Sequence, residues 1–377
     1  MANFGFVFCP NVNWIGGKNY FLSMFKELDR DIDETNDSII VFSGLDSNLD
    51  ELNELINLRV VRTKILNQSG IFNFIYKVCN KFLGRNVLLM FYLKRCDITL
   101  LSHDYIPSWT GIKCLPWIPD FQHCFLNYLF STTEINTRNK TYSRYLNNKN
   151  FLLSSYSALQ DAKSFYEVKG RAFIYRFHPL INNDFDLTEY NEFAIINNID
   201  GPFVFLPNQF WKHKNHLICF EACKIAKELG TPFKLVCTGG FSDYRNPEYS
   251  REIINFITEN DLSNQIILLG LVERNIFSCL LRECTVLVNP SKFEGWSTTV
   301  EEGKAFNKNM VLSDLNVHFE QCENLSNVHF FDKNDAYACY YAIDKVLRSS
   351  DSYQDYNGEV LIDKRVTIYE ILLDALQ

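Results

Sequence analysis

In "NPSKFEGWSTTVEEGKAF" (289–306) two glutamates, Glu294 and Glu302, stand eight positions apart, with a glycine and three hydroxyl residues between them. The preceding "TVLVNPS" reads as a strand, "KFEG" as a turn and "STTVEEGKAF" as a helix with Ser297 at its N-cap. Glu294 then lies in the loop and Glu302 lies inside the helix. The amides of residues 295 to 299 are expected to point out of the helix N-terminus, where an anion is favoured. An ionised carboxylate only accepts hydrogen bonds and can grip two neighbouring hydroxyls. A phosphorylated polyol, that is a sugar nucleotide, meets these demands together. A capped helix with a solvated acidic face is the competing reading of the same spacing.

Such a loop needs a strand behind it, and the chain offers many. "FGFVFCP" (4–10), "SIIVFSG" (38–44), "DITLLSH" (97–103), "KCLPWIP" (113–119) and "NFLLSSY" (150–156) read as a first series. "PFVFLPN" (202–208), "FKLVCTG" (233–239), "QIILLGL" (265–271), "TVLVNPS" (285–291), "NMVLSDL" (309–315) and "NVHFF" (327–331) form a second. Helical patterns such as "NHLICFEACKIAKEL" (215–229) lie between them. Continuous apolar strands alternating with helices indicate parallel sheets covered on both faces. The expected fold is α/β, with two doubly wound Rossmann-like domains facing a central cleft. The polar, Asn/Asp-rich stretch 176–202 marks the turning point. The expected divisions are a first domain over 1–180, a linker over 181–201, a second domain over 202–358 and a C-terminal segment over 359–377. In that last segment "VTIYEILLDAL" (366–376) sets Ile368, Leu372, Leu373 and Leu376 at helical spacing. Ligands in such sheets sit at the carboxyl ends of strands, so the loops after strands carry the candidate chemistry.

Length and composition agree with this layout. A chain of 377 residues exceeds one ordinary core, and 47% hydrophobic residues supply two. No segment reaches the roughly 18 apolar residues of a membrane span. The start, "MANFGFVFCPNVNW", lacks a basic region followed by a long apolar run, so the expectation is an unexported, cytoplasmic chain. The 12 cysteines are scattered with no CxxC pair, and they read as reduced, buried small hydrophobes rather than a zinc site. A net charge of −8 argues against nucleic acid as partner.

"EGWSTTVEEGKAFNKNMVLSD" resembles the Glu-x7-Glu signature of the retaining GT-B glycosyltransferases called family 4. Four further stretches resemble that family in the expected order. "WIGGKNYFLSMFKEL" (14–28) looks like its N-terminal glycine loop, and "WIPDFQHCFLNYLFS" (117–131) like a segment of its bacterial polysaccharide branch. "PNQFWKHKNH" (207–216) looks like its lysine loop, and "LSDLNVHFEQ" (312–321) like its post-signature strand and loop. The resemblance implies that Glu294 contacts the donor sugar, Glu302 the nucleotide ribose, and Lys214 the diphosphate. It implies sugar and diphosphate contacts from Gly295, Trp296, Ser297 and Thr298. Gly239 and Gly240, with Gly16 and Gly17 from the first domain, would let the nucleotide approach closely. Where many members carry an arginine, five residues before the lysine, this chain has Gln209. Trp296 and Thr299 also depart from the commoner phenylalanine and proline. The implied reaction is transfer from a nucleotide-diphosphate sugar with retention of configuration, without a cofactor or metal, and with the C-terminal helix returning to the first domain.

On the acceptor side Asp120 and His123 follow a first-domain strand and are the first candidates, with His103 and Asp104 the second. "SGIFNFIYKVCNKFLGRNVLLMFYLKR" (69–95) mixes bulky apolar residues with Lys77, Lys81, Arg85, Lys94 and Arg95. It reads either as a basic amphipathic surface for an anionic membrane or as a core helix with a solvated basic face. With the first reading the acceptor is a lipid-linked saccharide at the inner face of the cytoplasmic membrane, as in O-antigen, capsule or exopolysaccharide assembly. Two other classes stay open at this stage: a sugar-nucleotide epimerase of the same fold, and a non-catalytic partner subunit.

Overall fold

The computed structural model describes all residues except 1, 11–14, 34, 84–86, 180, 182–184, 244 and 350–364. The chain separates into two compact units: Met1–Cys124 with Thr132–Leu180 and Lys364–Gln377, and Phe125–Ser131 with Ile181–Asp363.

In the first unit, strands β1 (Asn3–Val7), β2 (Ser38–Ser43), β3 (Leu58–Arg62), β4 (Leu100–Ser102) and β5 (Lys113–Leu115) form a parallel sheet in the order β3-β2-β1-β4-β5. Strands β6 (Trp117–Ile118), β7 (Asn150–Leu153) and β8 (Arg171–Ile174) form a second parallel sheet. Pro116 stands between β5 and β6; it has no N–H to give to a ladder, and its carbonyl accepts from Leu152 N at 2.8 Å. The strand β2 is buried along almost its whole length and reads plainly as apolar. By contrast β3 ("LRVVR") and β8 ("RAFI") are edge strands that mix exposed arginines with half-buried residues. Neither belongs to the expected first series, because an edge strand need not be a continuous apolar run.

Over β1 lies the helix Ile15–Ile32, whose Phe25 packs edge-on against Phe6 and Phe8 with centroids 5.4 and 5.5 Å apart. The C-terminal helix Ile368–Ala375 docks in this same unit. Glu27 Oε1 accepts the N–H of Ile368 at 2.9 Å, and Tyr369 donates to Asp37 Oδ2 at 2.9 Å. At the other end Asn150 Nδ2 donates to the Ala375 carbonyl at 3.0 Å, and Arg171 forks onto Asp374. Burial pushes the Glu27 carboxyl up from its ordinary range, and the Ile368 amide and Tyr175 hydroxyl pull the other way.

The second unit holds all six strands of the second series: β9 (Phe203–Leu206), β10 (Lys234–Thr238), β11 (Ile266–Gly270), β12 (Val286–Asn289), β13 (Met310–Ser313) and β14 (Val328–Phe331). Their order is β11-β10-β9-β12-β13-β14, all parallel. Side chains alternate between two cores. Val204, Leu206, Leu235, Cys237, Val286 and Val288 join one, under the helices His216–Glu228, Tyr249–Glu259 and Ala336–Arg348. Phe203, Phe205, Val236, Leu287, Met310 and Leu312 join the other, under Leu187–Ile196, Arg274–Glu283 and Thr298–Ala305. The stretch 181–201 therefore holds a folded helix, with Tyr190 and Ala194 buried, rather than a bare linker. Among the described residues every cysteine is a free thiol, eight of them buried. No described helix is long and apolar enough to cross a membrane.

The docking of the last helix rests on apolar burial more than on its exposed ion pair. Leu372→Ala, at a fully buried position, should lower unfolding free energy by about 2–5 kcal/mol. Arg171→Ala, whose pair with Asp374 is largely exposed, should cost at most about 1 kcal/mol. Urea unfolding of both variants checks the order; a reversed order would mean that charge, not packing, holds the helix.

Candidate functional site

Strand order in the second unit reverses between β9 and β12, the place where an open parallel sheet leaves a crevice at its carboxyl edge. The loops leaving these two strands bring the main candidates together. Lys214 ends a short 3-10 turn after β9, and Glu294 lies in the loop after β12. Lys214 Nζ donates to Glu294 Oε1 at 2.6 Å across 80 residues of sequence, with both side chains mostly buried. The next residue, Asn215, has a left-handed backbone (φ 60°) and donates to the carbonyls of Pro290 at 3.1 Å and Lys333 at 2.9 Å. Lys292 N donates to the His213 carbonyl at 2.8 Å, so the two loops are tied backbone to backbone.

From Glu294 a chain of buried polar groups runs inward. Ser291 Oγ lies 2.7 Å from both Glu294 Oε1 and Asn289 Oδ1. Asn289 Nδ2 donates to Ser297 Oγ at 2.7 Å, and Asn208 Nδ2 donates to Asn289 Oδ1 at 3.2 Å. Ser297 is the N-cap of the helix Thr298–Ala305, its hydroxyl accepting from Val300 N at 3.4 Å. Its own N–H goes to Gln321 Oε1 at 3.2 Å and its carbonyl accepts from Gln321 Nε2 at 2.9 Å. That corrects one expectation. Ser297 is 1% exposed with its amide already bound, so it shapes the turn instead of presenting an amide to a ligand. Gly295 and Thr298 are half-buried, and Trp296 is buried.

Glu302 lies one helical turn beyond the N-cap region, 7% exposed, and accepts from Arg274 Nη2 at 3.0 Å. Burial pushes its carboxyl up and the Arg274 guanidinium opposes that. Arg274 begins the helix after β11 and was not among the candidates read from the sequence. A surface arginine carries no local signal that its partner stands 28 residues on.

Gln209 has a definite use. Its Oε1 accepts the N–H of Gly240 at 2.8 Å, a role closed to arginine, which has only donors. Gly239 has φ 134°, and a Cβ there would stand 2.3 Å from the Asn208 carbonyl oxygen; one on Gly240 would stand 2.9 Å from Gln209 Oε1. These glycines therefore admit the protein's own 208–209 loop, a different reason from nucleotide approach.

The first-unit candidates are placed less openly. Gly16 and Gly17 occupy the first turn of the helix Ile15–Ile32 rather than a loop; Gly16 is exposed, Gly17 is buried, and Trp14 lies outside the described residues. His123 is 1% exposed, with Nε2 bonded to Tyr166 Oη at 2.8 Å and Asn139 Oδ1 at 3.0 Å, and burial depresses its pKa. Its imidazole is thus a core member, which corrects its reading as an open acceptor-side group. Asp120 accepts from Gln122 N at 2.9 Å and stands 3.7 Å from Arg138. His103, at the carboxyl end of β4 with φ 66°, bonds Tyr20 Oη at 2.6 Å and is pushed by burial to about 3. Burial raises the neighbouring Asp104 to about 6. Among the described residues no three His, Cys, Asp or Glu side chains converge as a metal site would require.

Residues 190–359 match the family model for glycosyl transferases group 1. This stretch is a glycosyl transferases group 1 domain. It contains Lys214, Glu294, Glu302 and Gln321. No curated protein matches the chain. Among solved structures, a glycosyltransferase from Rickettsia africae matches with TM-score 0.64 at 16% identity, covering 95% of this chain and 91% of that one. A sucrose-phosphate synthase from Thermosynechococcus elongatus matches with TM-score 0.66 at 13% identity, over 95% and 92%. Anabaena HepE, in complex with UDP-glucose, matches with TM-score 0.66 at 12% identity, over 93% and 91%. At such identities the likeness shows the fold: α/β, with parallel sheets in two Rossmann-like units, as in GT-B glycosyltransferases.

Ser297→Ala removes the cap of the group 1 helix and strands a buried Asn289 amide. The cap costs about 0.5–2 kcal/mol and the stranded donor about 1–3 kcal/mol, so a loss of about 2–4 kcal/mol is expected. Thr298→Ala, next door and half-buried, should stay within about 0.5 kcal/mol. Chemical denaturation of both variants gives the comparison; equal effects would mean that the network does not hold the turn.

Proposed function

We propose that the protein is a retaining glycosyltransferase of the family 4 type, moving a sugar from a nucleotide-diphosphate donor to a saccharide acceptor without a metal. The observation that carries this reading is the Lys214–Glu294 pair, held at 2.6 Å where the sheet's strand order reverses inside the group 1 domain. In this pair each charge neutralises the other. A donor diphosphate, with two negative charges, competes with Glu294 for Lys214. The freed Glu294 then accepts hydroxyls of the sugar, while Lys214 and the first amides of the helix Thr298–Ala305 stabilise charge growing on the leaving diphosphate. Glu302, which accepts from Arg274 at 3.0 Å, takes the ribose hydroxyls in this reading. UDP-glucose is the first donor to try, since HepE is in complex with it and an E. coli trehalose-6-phosphate protein of similar fold is bound with UDP-2-fluoro glucose.

For the acceptor we favour a lipid-linked saccharide at the inner face of the cytoplasmic membrane, in O-antigen, capsule or exopolysaccharide assembly. Support comes from the helix Ile71–Leu83, where Ile71, Phe72, Phe74 and Ile75 are 69%, 49%, 66% and 44% exposed and Lys77 and Lys81 follow. Four large apolar residues exposed on neighbouring turns, in a segment whose sequence also carries basic residues, suit an anionic interface.

Two experiments follow. With a nucleotide-sugar panel, Lys214→Ala should depress turnover more than donor affinity, and Glu294→Ala should cut turnover by orders of magnitude while nucleotide binding survives. Glu302→Ala should weaken nucleotide binding by roughly 1.5–3 kcal/mol. Wild-type rates in all three variants would refute the site. Separately, Phe72→Ser with Phe74→Ser should reduce co-sedimentation with phosphatidylglycerol vesicles; unchanged sedimentation would remove the membrane reading.

A further inference from the structure

Gln321 closes the short helix Asn316–Gln321 that follows β13, and it is 3% exposed. Its carboxamide makes three hydrogen bonds at once. Oε1 accepts the Ser297 N–H at 3.2 Å, and Nε2 donates to the Ser297 carbonyl and to Glu301 Oε1, both at 2.9 Å. Glu301 is itself buried and stands 3.5 Å from Lys304. A carboxamide carries an acceptor and two donors in one plane, so it can hold both backbone groups of one residue and still donate to a carboxylate. A carboxylate lacks the donors, and an apolar side chain lacks both.

We infer that Gln321 is a positioning residue for donor binding: by gripping both backbone groups of Ser297 it aims the turn that carries Glu294 and the first amides of the following helix. This deepens the donor reading above and rests on it. Gln321 acts through Ser297 and is not placed against the donor itself. Apart from Gln321, Ser297 is held on its hydroxyl by Asn289 Nδ2 and Val300 N and on its carbonyl by the Glu301 N–H at 3.2 Å, so the grip adds the bond to its own N–H and a second bond to its carbonyl. Releasing the grip leaves the buried Ser297 N–H without Gln321 and loosens the turn ahead of the helix. Displacing binding groups by about 1 Å costs up to about 100-fold in a preorganised site.

The test uses the full chain and three variants. Gln321→Met keeps length and volume but removes all three bonds. Gln321→Glu keeps an acceptor for the Ser297 N–H but sets a carboxylate against Glu301. Val346→Ala deletes core volume in the helix Ala336–Arg348, on the opposite face of the sheet, and controls for general destabilisation. Affinities for UDP-glucose, GDP-mannose and dTDP-glucose, kcat and KM for donor hydrolysis, and hydrogen exchange of peptides spanning 293–300 are measured. Gln321→Met should weaken the tightest donor by roughly 10- to 100-fold and speed exchange of the turn, whereas Val346→Ala should do neither. Gln321→Glu, which has no donor for the Ser297 carbonyl or for Glu301, should also weaken donor binding. Donor affinity within twofold of wild type in Gln321→Met, or an equal loss in Val346→Ala, overturns the inference. If the wild-type chain binds none of the three donors, it is the donor reading that fails. Exchange then decides the grip alone: faster exchange in Gln321→Met supports it, and unchanged exchange overturns it.

Discussion

The site depends on one saturated residue. Ser297 is 1% exposed; Asn289 and Val300 bind its hydroxyl, and Gln321 binds both its N–H and its carbonyl. A buried polar group left without a partner costs about 1–3 kcal/mol, so any other shape of the turn would strand several groups at once. The turn therefore has one low-energy conformation, and Glu294 at its outer end inherits that conformation through Ser291 and Asn289. Below it, the reversal of strand order between β9 and β12 leaves room for the loops to diverge and meet again.

Electrostatics complete the arrangement. Two partly buried charges 2.6 Å apart satisfy each other, and removing either one alone leaves the other uncompensated. Glu302 and Arg274 repeat the pattern one helical turn further on, at 3.0 Å. Under the proposed function an anionic donor therefore enters by exchanging partners with a paired Lys214 rather than by meeting a bare cation. Gln209 fits the same economy, since it fixes the neighbouring loop by accepting a backbone N–H and adds no further charge to the site.

Much of this was legible in the sequence, for physical reasons. The six strands of the second series feed cores on both faces of their sheet, so their runs are mostly apolar and declare themselves. Ser297 as N-cap and the helical spacing of Ile368 and Leu372 are local patterns, and both hold. What escaped is non-local or edge-like. The strands β3 and β8 carry exposed arginines among residues that are mostly half-buried, as edges do. Gln321 and Asn289 are polar residues whose partners lie 24 and 8 positions away, and nothing in their types distinguishes a buried clamp from a solvated surface. His123 failed in the opposite direction. Its position after a strand suggested an open group, but Asn139 and Tyr166, 16 and 43 residues on, draw it into the core. Phe125–Ser131 belongs with the second unit although its neighbours on both sides belong to the first, through contacts such as Phe125 against Phe293 at 5.3 Å.

The most direct test is a crystal structure of the chain with a bound nucleotide sugar. The account predicts the diphosphate at Lys214 and the N-terminal amides of the helix Thr298–Ala305, Glu294 turned from Lys214 to the sugar hydroxyls, Glu302 at the ribose, and Ser297 still held by Gln321. A nucleotide bound away from the β9–β12 switch, or a Lys214–Glu294 pair left intact beside a bound donor, would contradict it.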